Sequence, residues 1–182
     1  MDAKTLDIVK AGWAMFARYG YAKTTMSDIA GEAGVARQTV YNAFSSKEDI
    51  LRAVVRLAGE EALSEVQAAW ADAGSLSEKI SIFQSLGPEC WYKAMVAAPD
   101  WGALMDGMNR AAASELADLE TRWVRVIETM FAETLRTERE TYGEVAHFLY
   151  TASKNTKYGA EGLEDVQRRL ATIHKATLAL LA

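Results

Sequence analysis

Helix breakers are scarce in this chain, and that constrains its fold more than any other feature. Both prolines, Pro88 and Pro99, lie in one short stretch, and only 12 glycines are spread over 182 residues, against 32 alanines. Alanine is the best helix former, and proline costs about 3 kcal/mol in a helix interior. Long uninterrupted helices are therefore the structures open to it. The apolar residues agree. Leu6, Ile8, Val9, Trp13 and Phe16 recur at helical spacing, as do Leu163, Val166, Leu170, Ile173, Thr177 and Leu180 near the other end. Strand-like alternation is not found. Half the residues are hydrophobic and a quarter charged, a globular balance. The reading is an all-α chain of about nine helices.

Local punctuation places the helices. A first runs from Thr5 to Tyr19 and stops at Gly20. Thr25, with Asp28 three positions on, has the form of a capping box opening a second short helix that ends near Ala33. Gly34 suits a left-handed turn. A third helix spans about Arg37 to Phe44, and Ser46 caps a fourth that holds phase to Trp70. Beyond Gly74 the helices are larger and greasier. One runs from Ser75 to Leu86, Gly87-Pro88 breaks it, and Pro88 to Ala97 follows. Asp100 to Arg136 forms one long helix or two, then Glu140 to Lys157, and the last starts at Leu163. This divides the chain into a head, residues 1–50, and a helical body, residues 51–182.

The net charge is −5, yet Met1 to Arg56 holds eight Lys/Arg against six Asp/Glu. A mildly basic head on an acidic body points to an anionic partner for the head alone. Two short helices joined by a Gly-containing turn form a helix-turn-helix candidate. In such a unit the second helix offers side chains from its N-terminal part to base edges in the major groove. Here it begins Arg37-Gln38-Thr39-Val40-Tyr41-Asn42. Arg bonds bidentately to guanine, Gln and Asn to adenine, Thr to a phosphate or thymine methyl, and Tyr to phosphate. Val40 and Phe44 face inward, and Lys47 stands at the next helix start.

The stretch from Ile8 to Leu51 resembles the DNA-binding head of the tetracycline-repressor (TetR) family of bacterial regulators. The residues that carry the resemblance are Ile8, Ala11, Phe16, Gly20, Thr24-Thr25, Ile29-Ala30, Ala33-Gly34-Val35, Thr39-Val40-Tyr41, Phe44, Ser46-Lys47-Glu48 and Leu51. The resemblance implies an all-helical homodimer, a head that binds operator DNA, and a body that binds a small molecule and dimerises through its last two helices. It makes Thr25 the cap of the second helix and a phosphate contact. Arg37, Gln38, Thr39, Tyr41 and Asn42 become the groove-facing set, and Lys47 a phosphate anchor. Three departures stand out. Gly12 replaces the family's usual Ala, which loosens the first helix; Ala36 replaces a frequent Ser cap; Asp2 and Asp7 make the N-terminal arm less basic.

In the body, Trp91, Met95, Met105, Met108 and Trp123 are candidates to line a site for a largely apolar effector. The same residues at helical spacing also serve as core. Val145, Leu149, Val166, Leu170, Ile173 and Leu180 form apolar seams on the last two helices, suited to a four-helix dimer interface or to burial within one body. An enzyme is not indicated. His147 and His174 lack metal-ligand spacing, Cys90 has no evident activating partner, and no phosphate-binding Gly-rich loop is present. No cofactor or metal is expected. A single cysteine, no apolar run of membrane length and no signal-peptide layout fit a cytoplasmic regulator with no membrane contact. A DNA-binding dimer controlled by a protein partner, with no small-molecule ligand, is the alternative.

Overall fold

The structure is a computed structural model, and it describes residues 1–97, 102, 105, 110–137 and 139–182. All regular structure among the described residues is helical. The helices are α1 (Ala3–Tyr19), α2 (Met26–Glu32), α3 (Arg37–Ala43), α4 (Lys47–Ala71), α5 (Leu76–Gln84), α6 (Cys90–Ala97), α7 (Ala113–Leu135), α8 (Tyr142–Asn155) and α9 (Leu163–Leu181). A π-helical turn, Ser85–Glu89, joins α5 to α6. Leu76 to Ala97 is therefore one continuous helical run, where a break at Gly87-Pro88 was expected. Pro88 has no N–H to give and its ring crowds the carbonyl four residues back; a π turn shifts the register so the helix passes over it.

Residues cluster into two compact units, Met1–Glu60 with Met95–Asp118, and Glu61–Ala94 with Leu119–Ala182. α4 and α7 each contribute residues to both units. Within the first unit, Arg52 Nε donates to the Ala111 carbonyl at 2.8 Å and Arg56 pairs with Glu115 at 2.9 Å. These contacts bring residues 111–115 onto α4.

The first unit builds its core from Ile8, Val9, Phe16, Ile29, Val40, Ile50 and Leu51, all at most 1 % exposed. Asp2 caps α1 by accepting from the Thr5 amide at 2.9 Å. The helix ends at Gly20, whose φ of 82° is open to glycine at little cost. Gly12 is buried against α4: a β-carbon there would lie 2.6 Å from Ile50 Cγ2. It is a close-packing residue and not the slack in α1 that its low helix propensity implies.

The second unit packs around Val66, Ile80, Phe83, Trp123, Ile127, Phe131, Tyr142 and Leu149. The Gln84 side chain is buried there and donates to the Leu170 carbonyl at 3.0 Å. Arg169 reaches from α9 to the carbonyls of Thr156, Tyr158 and Gly159 at 2.9–3.1 Å, tying down the loop that follows α8. Asp165 holds that guanidinium at 2.7 Å.

The expected dimer seams are resolved by burial. Val145, Leu149, Val166 and Leu170 are at most 6 % exposed within a single chain, so they hold α8 and α9 into the protomer's own core. Ile173 is half-buried, and only Leu180, at 56 %, is open. An apolar stripe at steps of three and four marks a buried face without saying which partner buries it.

Candidate nucleic-acid interface

α2 and α3 are two seven-residue helices whose angle is set by a short turn. Thr25 opens α2 through a complete capping box. Its hydroxyl accepts from the Asp28 amide at 3.2 Å, and the Asp28 carboxylate accepts from the Thr25 amide at 2.8 Å. The same carboxylate accepts from the Thr25 hydroxyl at 2.7 Å, and these bonds hold it below the usual carboxylate range. Thr25 is exposed, but its hydroxyl donor is already engaged with Asp28. Gly34, at φ 66°, makes the left-handed corner between the helices.

Val40 is fully buried and fixes the roll of α3. With that face inward, Arg37, Gln38, Tyr41 and Asn42 are exposed and Thr39 is half-exposed. Gln38 Nε2 donates to Asn42 Oδ1 at 2.8 Å, one helical turn apart. The two amides therefore form a joined polar surface, with Asn42's amide nitrogen and Gln38's carbonyl oxygen free to read a base edge. Arg37 has no ion pair or hydrogen-bonded partner among the described residues. Ala36 caps α3 without a side-chain bond, as its methyl dictates. Tyr41, 48 % exposed, completes a face of donors and acceptors around the Arg37 cation.

Lys47 is placed differently from its expected role. Its ammonium donates to the Tyr21 carbonyl at 2.7 Å and the Thr24 carbonyl at 3.0 Å, and lies 4.3 Å from the centre of the Tyr21 ring. Tyr21 was not singled out in the sequence, yet with Thr24 it organises this corner. The Tyr21 hydroxyl donates to Glu48 Oε1 at 2.8 Å, and its ring meets Phe16 at 5.3 Å between centroids. Burial first, then Glu48, pushes the phenol well above its ordinary value, while its hydrogen bond lowers the Glu48 carboxyl. The buried Thr24 hydroxyl donates to the Gly20 carbonyl at 2.9 Å. An aromatic directly after a helix-ending Gly was the one signal that could have found the cluster.

The expected effector-lining residues that the structure describes fall in both units, with Trp91 and Met95 one turn apart on α6. Trp123 is 4 % exposed in the second unit's core, with its ring 5.4 Å from Phe83 and 6.3 Å from Tyr150. Trp91 belongs to the same unit and is half-buried. Met95 and Met105, also half-buried, belong to the first unit, and Met108 lies outside the described residues. Open grooves lie among the described residues of the second unit. One, of about 470 Å³, is bordered by Ala152, Asn155, Thr172 and Ile173; another, of about 460 Å³, by Trp70, Lys79, Arg125 and Met130.

Comparison with known proteins follows the same division. Residues 8–54 match the family model described as bacterial regulatory proteins, tetR family. YfiR of Bacillus subtilis (strain 168), described as an uncharacterized HTH-type transcriptional regulator, is 31% identical over 86 residues, or 44% of this chain and 42% of YfiR. The chain thus matches less than half the length of that relative. A transcriptional regulator from Cytophaga hutchinsonii superposes with a TM-score of 0.76 at 18% identity, covering 98% of each chain. The structure of a SmeT–triclosan complex superposes with a TM-score of 0.65 at 20% identity, covering 98% of this chain and 91% of that one. The structural likenesses extend the fold over nearly the whole chain, and the family-model match covers residues 8–54.

Proposed function

We propose, from the tetR-family match of residues 8–54, that this chain is a DNA-binding transcriptional regulator of that family, a dimeric repressor released from its operator by a small, largely apolar effector. The observation that carries the reading is the exposed α3 face, where Arg37, Gln38, Tyr41 and Asn42 stand out around a buried Val40. Residues 1–50 are the DNA-binding head in this reading, and residues 51–182 the regulatory and dimerising body. One α3 enters the major groove at each half-site, and a two-fold dimer reads a roughly palindromic operator with half-sites one helical turn apart. Thr39 reaches a phosphate or a thymine methyl beside the main set, and Thr25 reaches a phosphate where its hydroxyl turns from Asp28.

The dimer forms through what α8 and α9 leave exposed. Leu180, Phe148 at 37 % exposure and the half-buried Ile173 and Ala152 are apolar surface on those helices. Packing them around a two-fold axis satisfies both copies with one patch. Effector control runs along α4, which is unbroken from Lys47 to Ala71. An effector changes operator affinity only if it prefers one arrangement of the two heads over the other. That a protein of this fold, SmeT, occurs in complex with triclosan supports a small-molecule effector. The filled core around Trp123 favours a second reading, control by a protein partner.

Selection of bound fragments from genomic DNA tests the proposal. An enriched palindrome, lost on Arg37→Ala, is the expected result; the absence of any enriched motif would refute operator binding. A screen of apolar compounds by tryptophan fluorescence, each hit scored for operator release, separates the two modes of control. Compounds that quench and also lower operator affinity support the effector. Quenching without loss of affinity across the library would transfer control to a protein partner.

A further inference from the structure

We propose that Lys47 is a positioning residue: it holds the α1–α2 turn against the start of α4, and so sets where α2 and α3 present themselves to DNA, instead of bonding a phosphate itself. The inference rests on the regulator reading above. Its basis is where the ammonium goes. Three N–H donors are available to a lysine, and the Tyr21, Thr24 and Ala22 carbonyls stand at 2.7, 3.0 and 3.5 Å. The aromatic face of Tyr21 closes the remaining side at 4.3 Å. A phosphate would have to displace bonds from a charged donor, which are about twice as strong as neutral ones.

The turn has few other ties. It runs from Gly20 to Thr25 between two helices, and its carbonyls at Tyr21 and Thr24 point away from either helix's own hydrogen-bond ladder. The Thr24 hydroxyl donates within the turn to the Gly20 carbonyl and, at 3.3 Å, to the Met15 carbonyl of α1, and Thr25 starts α2 through Asp28. Tyr21 and Lys47 hold it to α4, with Glu48 fixing the ring from the next position. The carbonyl of Thr24 immediately precedes the α2 cap, so a shift of the Lys47 ammonium moves the entry of α2 directly. The corner therefore also transmits movement of the first turn of α4 to the helices that read DNA.

The test uses the full chain, a DNA fragment recovered by genomic selection, and a scrambled duplex of the same length. Lys47→Met keeps the stem and removes the charge and donors. It is expected to weaken binding to the selected fragment on the order of tenfold and to leave the scrambled duplex within about twofold, because misplacement harms base reading first. The slope of log K against log [KCl] should stay at the wild-type value. A slope shallower by about 1.8, or about 0.9 for each half-site of the dimer, with both duplexes weakened equally, is the signature of a lost phosphate contact and would overturn the proposal. So would full retention of affinity. Lys47→Gln, which keeps two N–H donors without charge, should recover most of the loss at the wild-type salt slope; recovery with the slope still shallower would instead mark a phosphate contact.

Amide hydrogen exchange on the free protein provides an arm independent of DNA. Lys47→Met should speed exchange at Thr25 and Asp28 while α1 and α8 stay protected. Unchanged exchange at those amides, or a uniform rise across the chain, contradicts a local positioning role. If the wild type selects no DNA fragment, the regulator reading fails, and this arm still decides whether Lys47 holds the turn.

Discussion

Replacing Gly12 with alanine is expected to destabilise the first unit by about 1 kcal/mol, although the substitution favours the helix. Two terms oppose each other. Alanine in a helix interior is better than glycine by about 0.8–1.0 kcal/mol. Against this, the new β-carbon would lie 2.6 Å from Ile50 Cγ2, far inside van der Waals contact. Ile50 is fully buried and β-branched, so its Cγ2 cannot swing aside without leaving its rotamer. Forcing a methyl into such a packed site costs about 1–3 kcal/mol, which exceeds the helix gain over most of its range. A fall of about 2–4 °C in the melting temperature corresponds to 1 kcal/mol for a chain of this size. Urea denaturation followed by circular dichroism provides the free energy, and an unchanged m-value assigns the effect to stability. Ile50→Ala in the same background is the internal control. It opens a cavity that the methyl introduced by Gly12→Ala partly fills, so the double variant should be more stable than the sum of the singles predicts. A Gly12→Ala protein that melts higher than wild type would refute the close approach of α1 and α4 and restore the view that Gly12 merely loosens its helix.

Arg37→Ala should cost about 1–3 kcal/mol on the selected operator and relax base preference at one position per half-site, which binding to a panel of single-base variants would reveal. Leu180→Asp should shift the dimer toward monomer with helical content intact, whereas Leu170→Asp should unfold the chain, because it places a charge where the side chain is 4 % exposed; sedimentation velocity and circular dichroism distinguish the two. His174 bonds Ser77 at 2.8 Å, and burial lowers its pKa below the ordinary imidazole value. Its folded form thus binds fewer protons than the unfolded chain, and stability should fall as pH drops through the ordinary histidine range, about 6.5. His174→Gln should flatten that part of the pH–stability profile, and an unaltered profile would remove His174 from the account. Trp123→Ala should cost about 3–5 kcal/mol, read by chemical denaturation, since the ring is packed against Phe83 and Tyr150.

What the residue order determined is local. The caps at Thr25 and Ser46, the left-handed corner at Gly34 and the inward Val40 follow from hydrogen-bonding reach and backbone freedom over three or four positions, and these place the α3 face before any fold is known. All-helical class follows likewise from alanine content and breaker scarcity. Tertiary structure decided whatever depends on which surface meets which. The seam of Val145, Leu149, Val166 and Leu170 has the same period whether a second subunit or the chain's own core covers it, and only packing showed that the core does. Gly12 reads as a weak point from propensity, and only the approach of Ile50 from the fourth helix shows why a side chain would not fit. Lys47 reads as a phosphate anchor by position, and only the return of the carbonyls of Tyr21 and Thr24, more than twenty residues earlier in the chain, shows what its charge holds. Pro88 marked a break that a π turn absorbed. For the seam, Gly12 and Lys47 the deciding partner is distant in sequence, and contacts between distant segments leave no periodicity or cap for a linear reading to find.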